Sequence, residues 1–401
     1  MRLRYKAVTK ENKIVRGLLE AKDTDEAVRY LRGKELIPIT VSSESRNEMA
    51  KYFPFLNKVK QSDLILFTRQ LSSMLNSGLT LIKSLEILRE QINSQTMNEI
   101  IGGIIADIEE GKTLSSAISR YPDIFSPIYV SIIKSAESSG LLDRALSHLA
   151  DNLEKQAKLR NTIRSALTYP TIVVILMFVV VFIMMTVVIP QLSGLYENLN
   201  VELPLPTKII MKLSDFMTVS WPLIIVIVGL AVFLFRRWHK TDAGKLVIDN
   251  LILKAPIFGN LSKKVILTEF SRTFSLLVGS GTLVVDSLMQ TADTLGNIHY
   301  KNAIIVIAKK VENGVSVGDA LSSYSLFPPL LTQLVKIGEE TGKLDETLLK
   351  ASEYFESETD QSVKMLTTSL EPIIMVTLGA GVAFLLVSVI TPIYSLISSI
   401  K

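Results

Sequence analysis

The 401-residue chain has no cysteine, which excludes disulfides, a cysteine-held zinc or iron–sulfur centre and a thiol nucleophile at once. Histidine is almost as scarce: His148, His239 and His299 stand far apart with no ligand spacing around them. Surface positions account for them better than a metal centre, and no metal is expected. A surplus of one charge is also missing. The 43 Lys and Arg are nearly balanced by 39 Asp and Glu, and no concentrated basic face marks a nucleic-acid footprint, so nucleic acid is not an expected partner. The stretch from Met1 to Lys13 holds no apolar core of signal-peptide length, and a cytoplasmic N-terminus is the expectation.

What is abundant is apolar residue: 48% of the chain, with a mean hydropathy of +0.35, too high for a soluble chain of this length. The surplus is concentrated in three blocks. Residues 165–196 carry no charge, and Thr171–Ile189 is long enough to cross about 30 Å of hydrocarbon as a helix. Phe216–Phe235 is a second uncharged run, closed by Arg236, Arg237, Trp238, His239 and Lys240, and Pro372–Ile400 is a third. Basic residues that flank a span resist transfer across the membrane. Lys155, Lys158, Arg160 and Arg164 precede the first span and Arg236, Arg237, Lys240 and Lys245 follow the second. The connection between them has only Lys208 and Lys212, offset by Glu197, Glu202 and Asp215. This asymmetry predicts that residues 1–164 and 236–371 face the cytoplasm, with a short external connection containing Pro204 and Pro206.

The odd number of spans follows from an internal duplication. Phe67, Arg69, Ser77, Gly78 and Ser84-Leu85 recur 203 residues later as Phe270, Arg272, Ser280, Gly281 and Ser287-Leu288. Gly111 and Ala117 recur as Gly314 and Ala320. After one deletion, Phe125, Pro127, Glu137, Gly140, Leu142, Asp143 and Leu146 match Phe327, Pro329, Glu339, Gly342, Leu344, Asp345 and Leu348. Pro170 and Pro190 match Pro372 and Pro392, so each copy ends in a proline-bounded span. Two parallel copies of a cytoplasmic domain followed by an outward span need a return crossing, and the unduplicated second span supplies it. Inverted-repeat transporters differ, since their repeats lie within the membrane.

Within each copy the periodicity is helical. Leu64, Phe67, Leu71, Met74 and Leu75 share a face, with Ser62 or Asp63 as N-cap and Gly78 as the stop. A second helix starts near Thr80, and further stops fall at Gly111 and Gly140. The N-terminal stretch reads as strands 3–8 and 14–19 around the turn Lys10–Lys13, a helix 24–32 capped by Asp23 or Thr24, and a strand 36–41. The expected fold is therefore mainly α: two duplicated cytoplasmic helical bundles, three transmembrane helices and a small N-terminal ββαβ unit. The boundaries read as a unit over 1–45, a linker over 46–61, bundle one over 62–170, a span over 171–190 and a periplasmic loop over 191–215. A span over 216–235, bundle two over 236–371, a span over 372–393 and a periplasmic tail over 394–401 complete the chain.

The chemistry-bearing patterns are few. Ala106–Thr113 fits a relaxed phosphate-loop pattern with Gly111, Lys112 and Thr113, which would make the chain a nucleotide-binding membrane ATPase. It follows a helical run rather than a strand, contains Asp107, Glu109 and Glu110, and its second copy lacks the lysine, so a helix stop at Gly111 reads better. A small membrane transporter is a further alternative, but no span has an interior charge for an ion relay. Glu137 with Gly140, and Glu339-Glu340 with Gly342, are the strongest paired polar features. They read either as αα-hairpin turns or as exposed docking points for a cytoplasmic partner. Glu371 followed by Pro372 reads as a first helical turn at the membrane surface, and Pro170, Pro190, Pro372 and Pro392 as span boundaries. Gly379, Gly381 and Ala383 would let another helix approach in the membrane. No catalytic residue, cofactor or enzymatic activity is assigned.

These residues in this order resemble the inner-membrane platform proteins of type II secretion and type IV pilus machines, over nearly the whole chain. The resemblance rests on Phe67-Thr68-Arg69-Gln70-Leu71 with Gly78, Glu110-Gly111 through Ala117, Tyr121-Pro122, Phe125, Glu137 with Gly140, Leu142 and Leu146, Ala166-Leu167-Thr168-Tyr169-Pro170, Val188-Ile189-Pro190, and Leu203-Pro204 with Thr207. It implies a non-enzymatic, self-associating multi-pass scaffold in the bacterial inner membrane. Its cytoplasmic bundles would engage a hexameric secretion or assembly ATPase. Its spans would contact pilin or pseudopilin helices and other inner-membrane assembly proteins. One departure is Ala136 where the family has Gly before the Glu, kept in the second copy as Gly338.

Overall fold

The computed structural model describes residues 2–8, 14–21, 24–34, 36–43, 59–191, 205–256 and 258–399. The turn at 10–13, Asp23, most of the 46–61 linker and the connection at 192–204 with Pro204 lie outside the described residues. The described residues form two compact units, one of residues 1–67 and 80–110, the other of 68–79 and 111–401.

In the first unit, strands β1 (Arg2–Val8), β2 (Ile14–Glu20) and β3 (Ile37–Ser43) form an antiparallel sheet in the order β2-β1-β3. Leu3 faces Leu19 on one side and Ser43 on the other. The β1–β3 register shifts between Lys6 and Ala7, whose partners are Thr40 and Pro38. Pro38 cannot donate to a ladder, and an irregular edge strand is where such a residue is tolerated. Helix α1 (Thr24–Gly33) packs on β1 and β3, with Ala27 and Leu31 buried as Ala7 is. Helix α2 (Gln61–Asn76), which belongs to this unit as far as Phe67 and to the second from Thr68, begins one residue before Ser62. Lys60 holds the capping position, and Asp63 reaches back to accept the Lys60 amide at 3.3 Å. That corrects the assignment of the cap to Ser62 or Asp63: a carboxylate in the first turn can satisfy the preceding amide from inside the helix. Helices α3 (Leu81–Gln91) and α4 (Gln95–Glu109) follow, capped by Thr80 and Ser94, and bury Leu85, Leu88, Met97, Ile101 and Ile104.

The second unit contains α5 (Leu114–Ser119), α6 (Pro127–Ser139) and α7 (Leu142–Ile183), which continues through a π-helical turn, Met184–Val188. Then come α8 (Leu205–His239), α9 (Asp242–Lys254), α10 (Phe258–Gly279), α11 (Val284–Thr294), α12 (Ile298–Glu312), α13 (Val317–Ser322), α14 (Pro329–Thr341) and α15 (Leu344–Ser399). The core of α10–α15 is built on Phe270, Phe274, Tyr300 and Phe327, with Tyr300 meeting Phe327 edge-on at 5.8 Å. Each such ring contributes about 1.5–3 kcal/mol by burial, and edge-on geometry adds to it. Burial pushes the Tyr300 hydroxyl up to about 12 while it donates to the Leu326 carbonyl at 3.2 Å.

The duplication is visible in the backbone. Gly78, Gly111 and Gly140 have positive φ, and so do Gly281, Gly314 and Gly342. At Gly140 (φ 73°) and Gly342 (φ 68°) the left-handed residue ends α6 and α14 and starts the long helix that follows.

Among the described residues, three helices are long and apolar enough to cross a membrane, within Leu142–Gln191, Ser220–His239 and Leu344–Phe384. Only 11%, 0% and 6% of their apolar windows are buried in protein, an exposure that water would penalise and hydrocarbon would not. Helix α8 begins at Leu205, so residues 205–215 of the expected external loop are helical. Pro206 supplies a reason, being favourable inside the first helical turn. Likewise α7 runs through Pro170 and α15 through Glu371, Pro372 and Pro392. Glu371-Pro372 is therefore not a first helical turn; the helix starts at Leu344, and proline within it costs one backbone bond that membrane helices tolerate. Thr171 and Thr377 keep their hydroxyls satisfied by donating at 2.7 Å to Leu167 and Ile373.

Candidate functional site: the paired acidic turns and the helices they brace

Glu137 lies near the C-terminus of α6, and its carboxylate reaches the N-terminus of α5. It accepts from the Leu114 amide, from the Ser115 amide at 3.1 Å and from the Ser115 hydroxyl. Glu339 repeats this in the second copy, accepting the Val317 amide at 2.5 Å and the Gly318 amide at 2.7 Å. Each carboxylate meets two of the amides that a helix N-terminus leaves without a partner, where the helix dipole favours negative charge. Of the five residues expected at the docking turns, Glu137 and Glu339 thus hold internal bonds, while Gly140, Glu340 and Gly342 are exposed. The signal available in the sequence was the repeated interval of about one hairpin between each short helix and its Glu.

The same contact bears on the phosphate-loop pattern. In Ala106–Thr113, α4 ends at Glu109, Gly111 takes φ 88° as a helix stop, and Thr113 caps α5 by accepting the Ser116 amide at 3.2 Å. No strand precedes it, and the α5 amides that a phosphate would need are taken by Glu137. An anion at that helix end would have to displace a carboxylate already there.

A second repeated element was missed as a functional pair although both arginines were aligned. Arg69 donates to Glu154 from Nε at 2.8 Å and from Nη2 at 2.7 Å, and to Asp151 at 2.6 Å. Its hydrogen bonds to Glu154 and Asp151 hold the guanidinium above its ordinary value, and the bond donated by Arg69 holds the Glu154 carboxyl below its own. Arg272 donates to Glu356 at 2.6 Å, but its side chain is only 3% exposed and desolvation lowers its pKa despite Glu356 and Glu269. Its Nε and Nη1 have no hydrogen-bond partner. Half-buried Glu269 is pushed up by burial, against the pull of Arg160 and Arg272. Ser72 and Ser275 complete the parallel, donating to the carbonyls of Asp143 at 3.3 Å and Asp345 at 2.8 Å.

A cleft of about 910 Å³ separates α6–α7 from α10 and α15, lined by Ala136, His148, Lys155, Arg272, Ser280 and Asp345. Of the other histidines, His299 Nε2 lies 3.3 Å from the Leu246 carbonyl, and the His239 ring stacks on Phe235. Among the described residues no group of His, Asp and Glu is arranged to hold a metal ion. In the third span, Gly379 and Gly381 have nothing within 4 Å of where a Cβ would sit, and Ala383 is exposed.

Comparison with known proteins agrees with the duplicated geometry. The family described as type II secretion system (T2SS) protein F matches residues 67–190 and, a second time, residues 270–392. The chain belongs to this family. The protein F family match begins and ends in each copy at corresponding residues, Phe67 and Pro190 in one, Phe270 and Pro392 in the other. Beyond it, the chain is 35% identical over 401 residues to the type IV pilus assembly protein PilC of Thermus thermophilus, covering 99% of this chain and 98% of the relative. It is 35% identical over 340 residues to PilC of Pseudomonas aeruginosa, covering 84% of this chain and 91% of the relative. It is also 26% identical over 394 residues to the type II secretion system protein F of Vibrio cholerae, covering 97% of each.

Proposed function

We propose that the protein is a non-enzymatic inner-membrane platform with a cytoplasmic N-terminus. It couples a cytoplasmic assembly ATPase to insertion of pilin or pseudopilin subunits into a filament, in type IV pilus biogenesis or type II secretion. The observation that carries this reading is the unbroken passage of α7 and α15 from a packed, charged region into an apolar span. A 56-residue helix is roughly 84 Å long at the usual rise per residue. A force applied at its cytoplasmic end reaches the membrane without crossing a hinge, and such a lever needs no catalytic group. Membership of the protein F family and likeness to the PilC proteins support the same role.

In this reading the docking surface is the exposed part of the two turns, Gly140, Glu340 and Gly342, held in shape by Glu137 and Glu339. The apolar faces of the spans, including Gly379, Gly381 and Ala383, receive the pilin-like helices or other membrane assembly proteins. Photo-crosslinkers placed at Ser139 and Glu340 in native membranes should capture a hexameric ATPase. Capture of no ATPase from either turn, with the protein present at its native level, would reject the reading.

A further inference from the structure

A helix on the surface of a soluble bundle ordinarily turns its polar side outward. Helix α9 departs from that. Its inner side is spent on the bundle: the Asp249 carboxylate accepts the Ile298 amide at 2.8 Å, His299 Nε2 meets the Leu246 carbonyl at 3.3 Å, and Leu253 packs on the core of α10–α15. Its outer side carries Ala243, Val247 and Leu251 at four-residue steps, all exposed, with Leu246 beside them and Lys254 at the end of the stripe. Leu246, Val247 and Leu251 are 42%, 47% and 62% exposed. The turn that leads into α9 fixes its level. Thr241 donates to the Trp238 carbonyl at 2.6 Å and accepts the Gly244 amide at 3.2 Å, so it ties the last turn of α8 to the first turn of α9. Gly244 completes the junction, since a Cβ there would lie 2.1 Å from the Trp238 carbonyl oxygen. Exposed Trp238, beside Arg236 and Arg237, closes the apolar run of α8 in the manner of an interfacial anchor. Helix α9 therefore starts at the depth where that run ends.

We infer that the outer stripe of α9 is covered by lipid, with the helix lying in the headgroup layer between the bilayer and the second copy's bundle. Two observations favour lipid over a protein partner. The stripe is continuous with a helix end that the apolar run of α8 already places at the membrane surface. The charges around it also suit lipid phosphates: Arg236, Arg237, Lys240, Lys245 and Lys254 are exposed and make no hydrogen bond or ion pair among the described residues. Of the two acids between them, Asp249 is buried on the Ile298 amide and only Asp242 is open. A helix held in this way braces the second bundle against the bilayer, so that α8 and α9 move together when the bundle is pushed. The inference rests on α8 being a span and goes beyond the platform reading.

The chain has no cysteine, so single cysteines can be spin-labelled in the full-length protein without removing others. The protein is reconstituted in nanodiscs of phosphatidylethanolamine and phosphatidylglycerol. Each label is challenged with oxygen, which concentrates in lipid, and with a water-soluble nickel chelate. V247C and L251C are expected to lose nickel accessibility and keep that to oxygen, like V226C within the α8 run, while K309C on the exposed side of α12 shows the opposite. Nickel accessibility at V247C and L251C equal to that of K309C would overturn the inference and leave the span reading standing. Low accessibility to both reagents at the two positions would overturn it as well, because that marks burial against protein. A water-exposed V226C would overturn the span itself, and this inference with it.

Discussion

Arg272 donates to Glu356 at 2.6 Å with 3% of its side chain exposed, whereas Arg69, its counterpart, is 37% exposed despite making more bonds. The same sequence pair thus sits in two dielectric settings. An exposed ion pair is worth about 0–1 kcal/mol, whereas removing one partner of a buried pair costs about 3–5 kcal/mol because a charge is left without its counterion. Arg69→Ala should leave unfolding nearly unchanged. Arg272→Ala should destabilise strongly, and the double change Arg272→Met with Glu356→Leu should recover much of the loss. Denaturant unfolding in detergent micelles reads all three.

The two acidic turns behave as braces. Replacing Glu137 or Glu339 by Ala strips two amides of α5 or α13 of their acceptor, at a cost of about 1–3 kcal/mol each. Gln at either position, which keeps an acceptor oxygen, should cost less. Hydrogen exchange at Leu114–Ser119 and Val317–Ser322 should rise only in the helix whose Glu was removed. Equal exchange in wild type and variant would show that the carboxylates do not hold those helix ends.

Gly338 and Ala136 occupy matching positions but are not interchangeable. A Cβ at 338 would lie 2.9 Å from the Leu344 Cα and 2.2 Å from the Thr347 hydroxyl, so the backbone of the next helix would have to move. Gly338→Ala should destabilise by about 1–3 kcal/mol through overpacking. Ala136→Gly should cost about 0.5–1 kcal/mol, the ordinary helix penalty. Thermal unfolding of the two variants compares them directly, and equal shifts would contradict the close approach at Gly338.

Glu269 gives the fold a pH dependence. Its carboxyl titrates above the usual glutamate range because it is buried, so the unfolded chain releases this proton first as pH rises. Its contribution to stability is therefore fully present below the unfolded pKa and is lost as pH rises through the folded one. Glu269→Gln should flatten the stability profile across that window, measured by unfolding at a series of pH values. An unchanged slope would contradict the burial argument.

Much of this fold was legible because the signals were periodic or repeated. Three uncharged runs, paired glycine stops and the matched residues from Phe67 and Phe270 onward pointed to the three long apolar helices, the helix ends and the duplication. Proline misled at one place: Glu371-Pro372 read as a first helical turn, yet the long helix from Leu344 passes through both residues. The roles of Glu137 and Glu339 were hidden for a different reason. Their partners are backbone amides of a helix about one hairpin away, and no side-chain pattern marks an amide. Arg69 and Arg272 were aligned, but only burial distinguishes a surface pair from an interior one, and burial of Arg272 depends on the packing of α10 against α7 and α15.

The central claim is that the twin helical segments share one side of the membrane, each continuous with its own span. Single cysteines at Ser138, Glu340 and Lys212, introduced one at a time and challenged with a membrane-impermeant maleimide in sealed right-side-out vesicles, test it directly. Ser138 and Glu340 should both stay unlabelled until the vesicles are lysed, while Lys212, near the N-terminal end of α8, should be labelled at once. Labelling of only one of Ser138 and Glu340 before lysis would place the two segments on opposite faces and contradict the claim.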